Sequence, residues 1–153
     1  MHTAIAVTSQ TIAQYLRQQL ESDDQQAAMA VSISHPKELV GQQFEGLSVW
    51  LYRVAVDEAQ RNFPSRRGGA PLPLRLHYLV TPMTAAGGDG ASPILQTVLG
   101  RAMQALQDQP HFPGFEMRFE ALSLEAMTEM WIALDLPYQL SVSYEVVGVQ
   151  ISE

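Results

Sequence analysis

The sequence predicts an α+β or α/β fold in a single domain spanning residues 1–153, with three helices packed on a mixed or antiparallel sheet of about five strands. The chain has 153 residues, the length of one ordinary domain. Its hydrophobic residues make up 46%, which is enough to build a core without disulfides. Apolar residues recur at helical spacing in three segments and alternate with polar ones in several others.

Each predicted helix carries its apolar residues on one side. The first helix begins near Thr3 or at a cap formed by Thr8 or Ser9. Ser92 with the proline after it predicts the start of the second helix, and Ser123 caps the third. The apolar stripes are Ile12, Tyr15, Leu16 and Leu20; Leu95, Val98, Leu99, Ala102 and Leu106; and Leu124, Met127, Met130, Trp131 and Leu134.

The five predicted strands show alternation or continuous apolar character. They are Met29–Ser34, stopped by Pro36; Gly46–Val56; Leu72–Val80, ended by Thr81-Pro82; Phe115–Ala121; and Tyr138–Ile151. The second is apolar on both faces, which favours a central position. The last contains a bulge or bend at Gly148 and is expected to pack with the third helix.

The last strand is also a candidate sheet edge, with the short first strand as the opposite edge. It runs almost to the end of the chain, and only Glu145 interrupts it with charge between Tyr138 and Ile151. Natural edges are usually blunted by charge or proline. We therefore expect this strand to pair on both sides or with the arm of a partner.

Composition excludes several functional classes. The net charge of −7, with Lys37 as the single lysine, opposes non-specific binding to nucleic acid or anionic lipid. The absence of cysteine excludes disulfides and thiolate chemistry. Apolar runs such as Leu47–Tyr52 are too short for a membrane span, and the N-terminus lacks a signal pattern. We expect a cytoplasmic protein with no direct membrane insertion.

The sequence predicts no catalytic, cofactor or metal site. The four histidines lack metal-ligand spacing. His77 lies on the outer face of its strand, where a solvated or interfacial ring is expected. Asp57 and Glu58 are interpreted as solvated loop residues, and Glu125 and Glu129 as the solvated face of the third helix.

The loop after the second strand carries the basic residues of interest. Arg66 and Arg67 form the one adjacent basic pair, preceded by Arg61 and by Asn62, the sole asparagine. Two interpretations remain open. The loop is a flexible solvated segment, or its arginines meet carboxylates of a neighbouring subunit, since guanidinium groups suit bidentate pairing at interfaces.

Four segments together resemble a known family. They are Ala59–Asn62 with the arginines after it, Pro71–Pro82, Ile94–Pro110, and Met130–Val146. Their order and spacing resemble the N-terminal domain of tail-terminator, or cap, proteins of contractile injection systems, which are relatives of phage tails. The last segment, with its pattern Trp-x-x-Leu-x-x-Pro-Tyr-x-Leu-Ser-Val-Ser-Tyr, is the most specific.

This resemblance implies a structural cap without catalysis or cofactor. It implies a ring of six copies that closes the inner tube and contractile sheath at the end distal to the baseplate. Its partners would be itself and the sheath and tube proteins, within an assembled particle. The C-terminal extension of larger relatives is not expected here. The expected contact residues are Arg61, Asn62, Arg66, Arg67, Tyr138, Ser141, Ser143 and Glu145.

One alternative belongs to a different class. The chain could be a small enzyme or ligand-binding domain with a site that no motif reveals. Self-association separates the two hypotheses, because a monomer with a deep polar pocket would favour the second.

Overall fold

The computed structural model describes residues 3–21, 30–61, 71–85 and 91–151. Helices and strands follow one another along the chain in an interleaved order. They are α1 (Ala4–Glu21), β1 (Ala30–Ser32), α2 (Pro36–Gly41), β2 (Gly46–Val56), α3 (Glu58–Arg61), β3 (Leu72–Met83), α4 (Ala91–Asp108), β4 (His111–Phe112), β5 (Phe115–Glu120), α5 (Leu124–Ala133) and β6 (Val142–Ile151).

Within the described residues, the strands form one mixed sheet of six, in the order β1-β2-β3-β6-β5-β4. β1 runs parallel to β2, and the other neighbours are antiparallel. The predicted α+β class, the mixed sheet and the three main helices are confirmed. Sequence analysis missed α2, α3 and β4, which have six, four and two residues. Segments this short show no periodicity.

The larger core lies between the sheet and helices α1 and α4. The inward side chains of β3 and β6 include Leu76, Tyr78, Tyr144 and Val146, all buried. Tyr78 shares a 2.6 Å hydrogen bond with the hydroxyl of buried Ser9 on α1. Burial raises the pKa of Tyr78 to about 12, so its phenol remains neutral at physiological pH.

A smaller core lies on the opposite face of the sheet, under α5. It consists of Leu79, Met127, Trp131 and Leu134. Leu79 alternates along β3 with the residues of the larger core, so the molecule has three layers. The prediction that α5 packs with the last strand was wrong in part, because Tyr144 of β6 faces the larger core.

Two glycines set the geometry of the sheet. Gly46 has φ +146°, and a Cβ there would collide with the carbonyl oxygen of Ala30, so only glycine lets β1 approach β2. Gly148 has φ +98°. Leu74 pairs with Val149 and Arg75 with Val147, which leaves Gly148 without a partner on β3. The predicted bulge at Gly148 is confirmed.

Several predicted boundaries were wrong. α1 begins at Ala4, which confirms the predicted start near Thr3 and shows that the alternative caps Thr8 and Ser9 lie inside the helix. The Thr8 hydroxyl donates to the Ala4 carbonyl at 2.8 Å. β3 continues beyond its predicted end and includes Pro82. β6 pairs with β3 only as far as Val80, so one side of β3 is open at Pro82. A proline is tolerated in a strand at such a position. α4 begins at Ala91, one residue before the predicted cap at Ser92.

β6 starts at Val142 and is not a sheet edge. It lies between β3 and β5 and is paired on both sides, which was one of the two expected outcomes. Both faces of β6 are covered, since the consecutive residues Val146 and Val147 point to opposite faces and are both buried. This burial explains the central position of β6. The prediction of β1 as an edge is confirmed. The opposite edge is formed by β4 and by the end of β5 that β4 does not reach.

Candidate interaction surface

The predicted contact residues fall in two groups. Arg61 ends α3, and Asn62, Arg66 and Arg67 lie outside the described residues. The others lie in the segment before β6 or on β6 itself. Tyr138 is exposed, Ser141 and Ser143 are buried, and Glu145 is partly buried.

Ser141 fastens the segment before β6 to α5. The indole Nε1 of Trp131 donates to the Ser141 hydroxyl at 3.1 Å, and this hydroxyl donates to the Gln139 carbonyl at 3.2 Å. Tyr138 and Leu140 of the same segment remain 47% and 45% exposed. The buried serine therefore anchors a segment that presents apolar side chains to solvent.

We call the part of the sheet on the α5 side that carries Asp57, Arg75, His77, Glu120 and Glu145 the polar face. The Arg75 Nη1 donates to Glu145 Oε1 at 2.6 Å, and its Nε lies 3.5 Å from Asp57 Oδ2. The Asp57 side chain is only 5% exposed, while that of Arg75 is 41% exposed. Arg75 thus compensates one buried and one partly buried carboxylate.

Asp57 was predicted to be a solvated loop residue, and this was wrong. The chain enters α3 directly from β2, and the Asp57 amide donates to the Pro73 carbonyl at 2.9 Å, which holds the residue against β3. The carboxylate is buried as a consequence. By contrast, the predicted solvated position of Glu125 and Glu129 is confirmed, since both are exposed.

His77 is also buried rather than solvated. Its Nδ1 lies 2.7 Å from Glu120 Oε2, and the His77 side chain is 9% exposed. The sheet order explains the error, because β6 brings β5 within reach of β3. Arg75 and Glu145 carry opposite charges, each at a polar position of an alternating strand. Such a pair is a sequence signal for cross-strand contact and could have indicated part of this network.

Aromatic rings form a row across the same side of the sheet. Ring centroids are separated by 4.7 Å between His35 and Trp50, 6.2 Å between Trp50 and Tyr52, and 6.0 Å between Tyr52 and His77. The Tyr52 hydroxyl shares a 2.7 Å hydrogen bond with Ser143. Burial is the main cause of the raised pKa of Tyr52. The Ser143 side chain therefore bonds to β2 of the same chain.

The chemistry of this surface is that of paired charges and packed rings. Within the described ranges, no three histidine, aspartate or glutamate side chains are placed to hold a metal ion. No helix in the same ranges is long and apolar enough to cross a membrane. The ion pairs and hydrogen bonds hold the side chains of the polar face in place, and the half-exposed Arg75 lies at the edge of this network.

Exposed apolar side chains lie on α5 and after it. Leu124 and Ile132 of α5 are each 71% exposed, and Tyr138 and Leu140 follow them in the chain. On the other side of the sheet, Phe119 of β5 is 53% exposed. Exposed apolar side chains concentrated on α5 and the segment after it favour a contact with another protein.

Comparison with known families decides what this fold is. Residues 7–153 match the family described as the Pvc16 N-terminal domain. The chain belongs to this family. The predicted resemblance to the N-terminal domain of cap proteins is thereby confirmed.

Two solved structures share the fold of the Pvc16 N-terminal domain seen here. One is the PVC sheath/tube terminator in the extended state, from an extracellular contractile injection system, with a TM-score of 0.74 and 22% identity over 95% of this chain and 55% of that chain. The other is the anti-feeding prophage cap, a tube terminating cap, with a TM-score of 0.70 and 20% identity over 92% of this chain and 53% of that chain.

This chain spans about half the length of those two proteins. No curated protein matches the sequence. At these identities the structural likeness establishes the fold of the Pvc16 N-terminal domain family.

Proposed function

We propose that this chain is a structural cap that terminates and stabilises the inner tube and contractile sheath of a phage-tail-like contractile injection system. It would act at the end distal to the baseplate. The observation that carries this proposal is the family match over residues 7–153, together with a fold shared with a sheath/tube terminator. The exposed apolar surface of α5 and the segment after it also supports a role in assembly.

The proposal includes the organisation of the cap. Copies of the chain form a ring of six, which matches the closed cyclic symmetry common in homo-oligomers. The ring contacts the terminal sheath and tube subunits, and it acts by binding rather than by catalysis. The chain is assembled in the cytoplasm as part of the particle.

Deletion of the gene tests this function directly. Without a cap, tubes and sheaths should have uncontrolled or unstable lengths when particles are imaged by electron microscopy. Complementation with the wild-type gene should restore a uniform length. Particles of normal, uniform length in the deletion strain would contradict the cap role.

The arginine loop supplies the proposed contacts between subunits. Replacement of Arg61, Arg66 and Arg67 by alanine should leave the melting temperature of the isolated chain nearly unchanged, because residues that serve a contact with a neighbouring subunit do not stabilise the isolated chain. The fraction of the protein bound to particles should fall, and the difference from the wild type should be largest at low salt, because high salt already screens these charges.

A matched control removes exposed cations elsewhere. The Lys37→Ala/Arg53→Ala variant changes two exposed side chains on the described surface and should leave particle binding intact. If the triple loop variant assembles as well as this control at physiological salt, the loop is solvated surface and the proposed contact is wrong.

A further inference from the structure

The outward side of α5 carries two carboxylates and an exposed apolar side chain. Glu125, Glu129 and Ile132 follow one another at spacings of four and three residues, so they lie in one row along the helix. Both glutamates are exposed, and Ile132 is 71% exposed. Met127 and Trp131 pack the opposite side of the helix on the sheet. We call these three outward residues the α5 row.

The two carboxylates of the α5 row repel each other, because like charges four residues apart destabilise a helix. Among the ion pairs of the described residues, neither Glu125 nor Glu129 takes part. By contrast, Asp135 just after the same helix has its Oδ2 3.3 Å from Lys37 Nζ. A cation placed between the two glutamates would relieve their repulsion. The α5 row therefore favours a ligand that carries positive charge beside an apolar group.

The carboxylates of the polar face already have partners within the chain. Arg75 compensates Asp57 and Glu145, and His77 Nδ1 lies 2.7 Å from Glu120 Oε2. An incoming guanidinium would have to displace one of these partners before it could bind there. The exposed glutamates of the α5 row require no such displacement, which makes the row the better acceptor for a cation.

The segment Phe63–Arg67 has the complementary chemistry. It lies outside the described residues, and its sequence is Phe-Pro-Ser-Arg-Arg, in which an aromatic residue precedes two adjacent arginines. From Phe63 to Arg66 a chain spans at most about 11 Å, and from Ile132 to Glu125 a helix spans about 10 Å. With Phe63 on Ile132, the long arginine side chains therefore reach both glutamates of the α5 row.

We propose that the α5 row binds the segment Phe63–Arg67 of a neighbouring copy of this chain. The aromatic ring packs on Ile132, and the two guanidinium groups pair with Glu125 and Glu129. Each copy gives its row to one neighbour and its segment to the other, so the contact is heterologous and closes into a ring. This deepens the proposed function, on which it rests for the ring of copies, by naming the carboxylates that the arginine loop meets.

Complementary charge reversal on the purified chain tests the proposal. The two proteins are Glu125→Arg/Glu129→Arg and Arg66→Glu/Arg67→Glu. In sedimentation velocity, each alone should self-associate at least about tenfold more weakly than the wild type, because like charges then meet at the contact. An equimolar mixture should recover the association of the wild type, since the row and the segment have opposite charges wherever unlike copies meet. A ring of six admits this alternation.

The matched control reverses two charges elsewhere on the surface. Glu21→Arg/Glu45→Arg replaces two exposed carboxylates and should associate at least as well as the wild type. If the mixture stays as dissociated as its components, or if the control loses association equally, the proposal is wrong. Recovery in the mixture requires two chains, so a contact between the row and the segment of one chain would not produce it.

Disulfide cross-linking detects the same contact even where association is weak. The chain has no cysteine, so introduced cysteines are its sole thiols. Thr128→Cys lies beside the α5 row, and Ser65→Cys precedes the two arginines. Mixed under mild oxidation, these two proteins should cross-link several-fold faster than Ser65→Cys mixed with Gln18→Cys, an exposed position on α1. Equal rates would overturn the proposal. Neither measurement depends on particle length, so failure of this contact and failure of the cap role are distinguishable.

Discussion

Replacement of Trp131 by alanine should lower the free energy of unfolding by about 3–5 kcal/mol. Trp131 is 1% exposed and is the largest member of the small core under α5. Its removal leaves a cavity against Leu79 and also deprives the Ser141 hydroxyl of its indole donor. The cavity weakens the packing of α5 on the sheet, and the lost hydrogen bond weakens the hold on the segment that connects α5 to β6.

Chemical denaturation with circular dichroism measures this loss. The matched control is Ile132→Ala, one residue along the same helix and 71% exposed, which should change stability by less than about 0.5 kcal/mol. A Trp131→Ala protein as stable as the control would mean that α5 is not held by this core. Such a cost is a large share of the stability of an ordinary domain.

The fold could be predicted because its main elements carry their own periodicity. β2 was predicted at its observed limits, Gly46–Val56, and Ser123 was predicted as the cap of α5, where its hydroxyl accepts from the Ala126 amide at 3.0 Å. These features depend on neighbouring residues only. The order of the strands depends on contacts between distant residues, so the central position of β6 was not evident from its pattern.

The interaction surface was harder to predict for the same physical reason. Alternation placed His77 on an outer face, but whether that face meets water depends on Glu120 from another strand. The 53% exposure of Phe119 depends likewise on tertiary contacts, because Tyr144, its partner on β6, is buried on the same face of the sheet. Arg66 and Arg67 lie outside the described residues, so their predicted contact role rests on the sequence.

Replacement of Arg75 by methionine should lower the free energy of unfolding by about 2–3 kcal/mol. Removing one partner of a buried ion pair typically costs about 3–5 kcal/mol, because the other charge remains buried without compensation. The lower figure applies here because the Arg75 side chain is 41% exposed and partly screened by solvent. The buried Asp57 carboxylate carries most of the effect.

A double substitution tests whether the buried charge is the cause. Asp57→Asn in the Arg75→Met background removes that charge and should restore much of the lost stability, whereas Glu145→Gln in the same background should restore less, since Glu145 is more exposed. Denaturant titration of the variants gives the coupling energies. If Arg75→Met were as stable as the wild type yet failed to join particles, Arg75 would act on a partner. In that case Glu145, predicted from the sequence as a contact residue, would share that role through its 2.6 Å ion pair with Arg75.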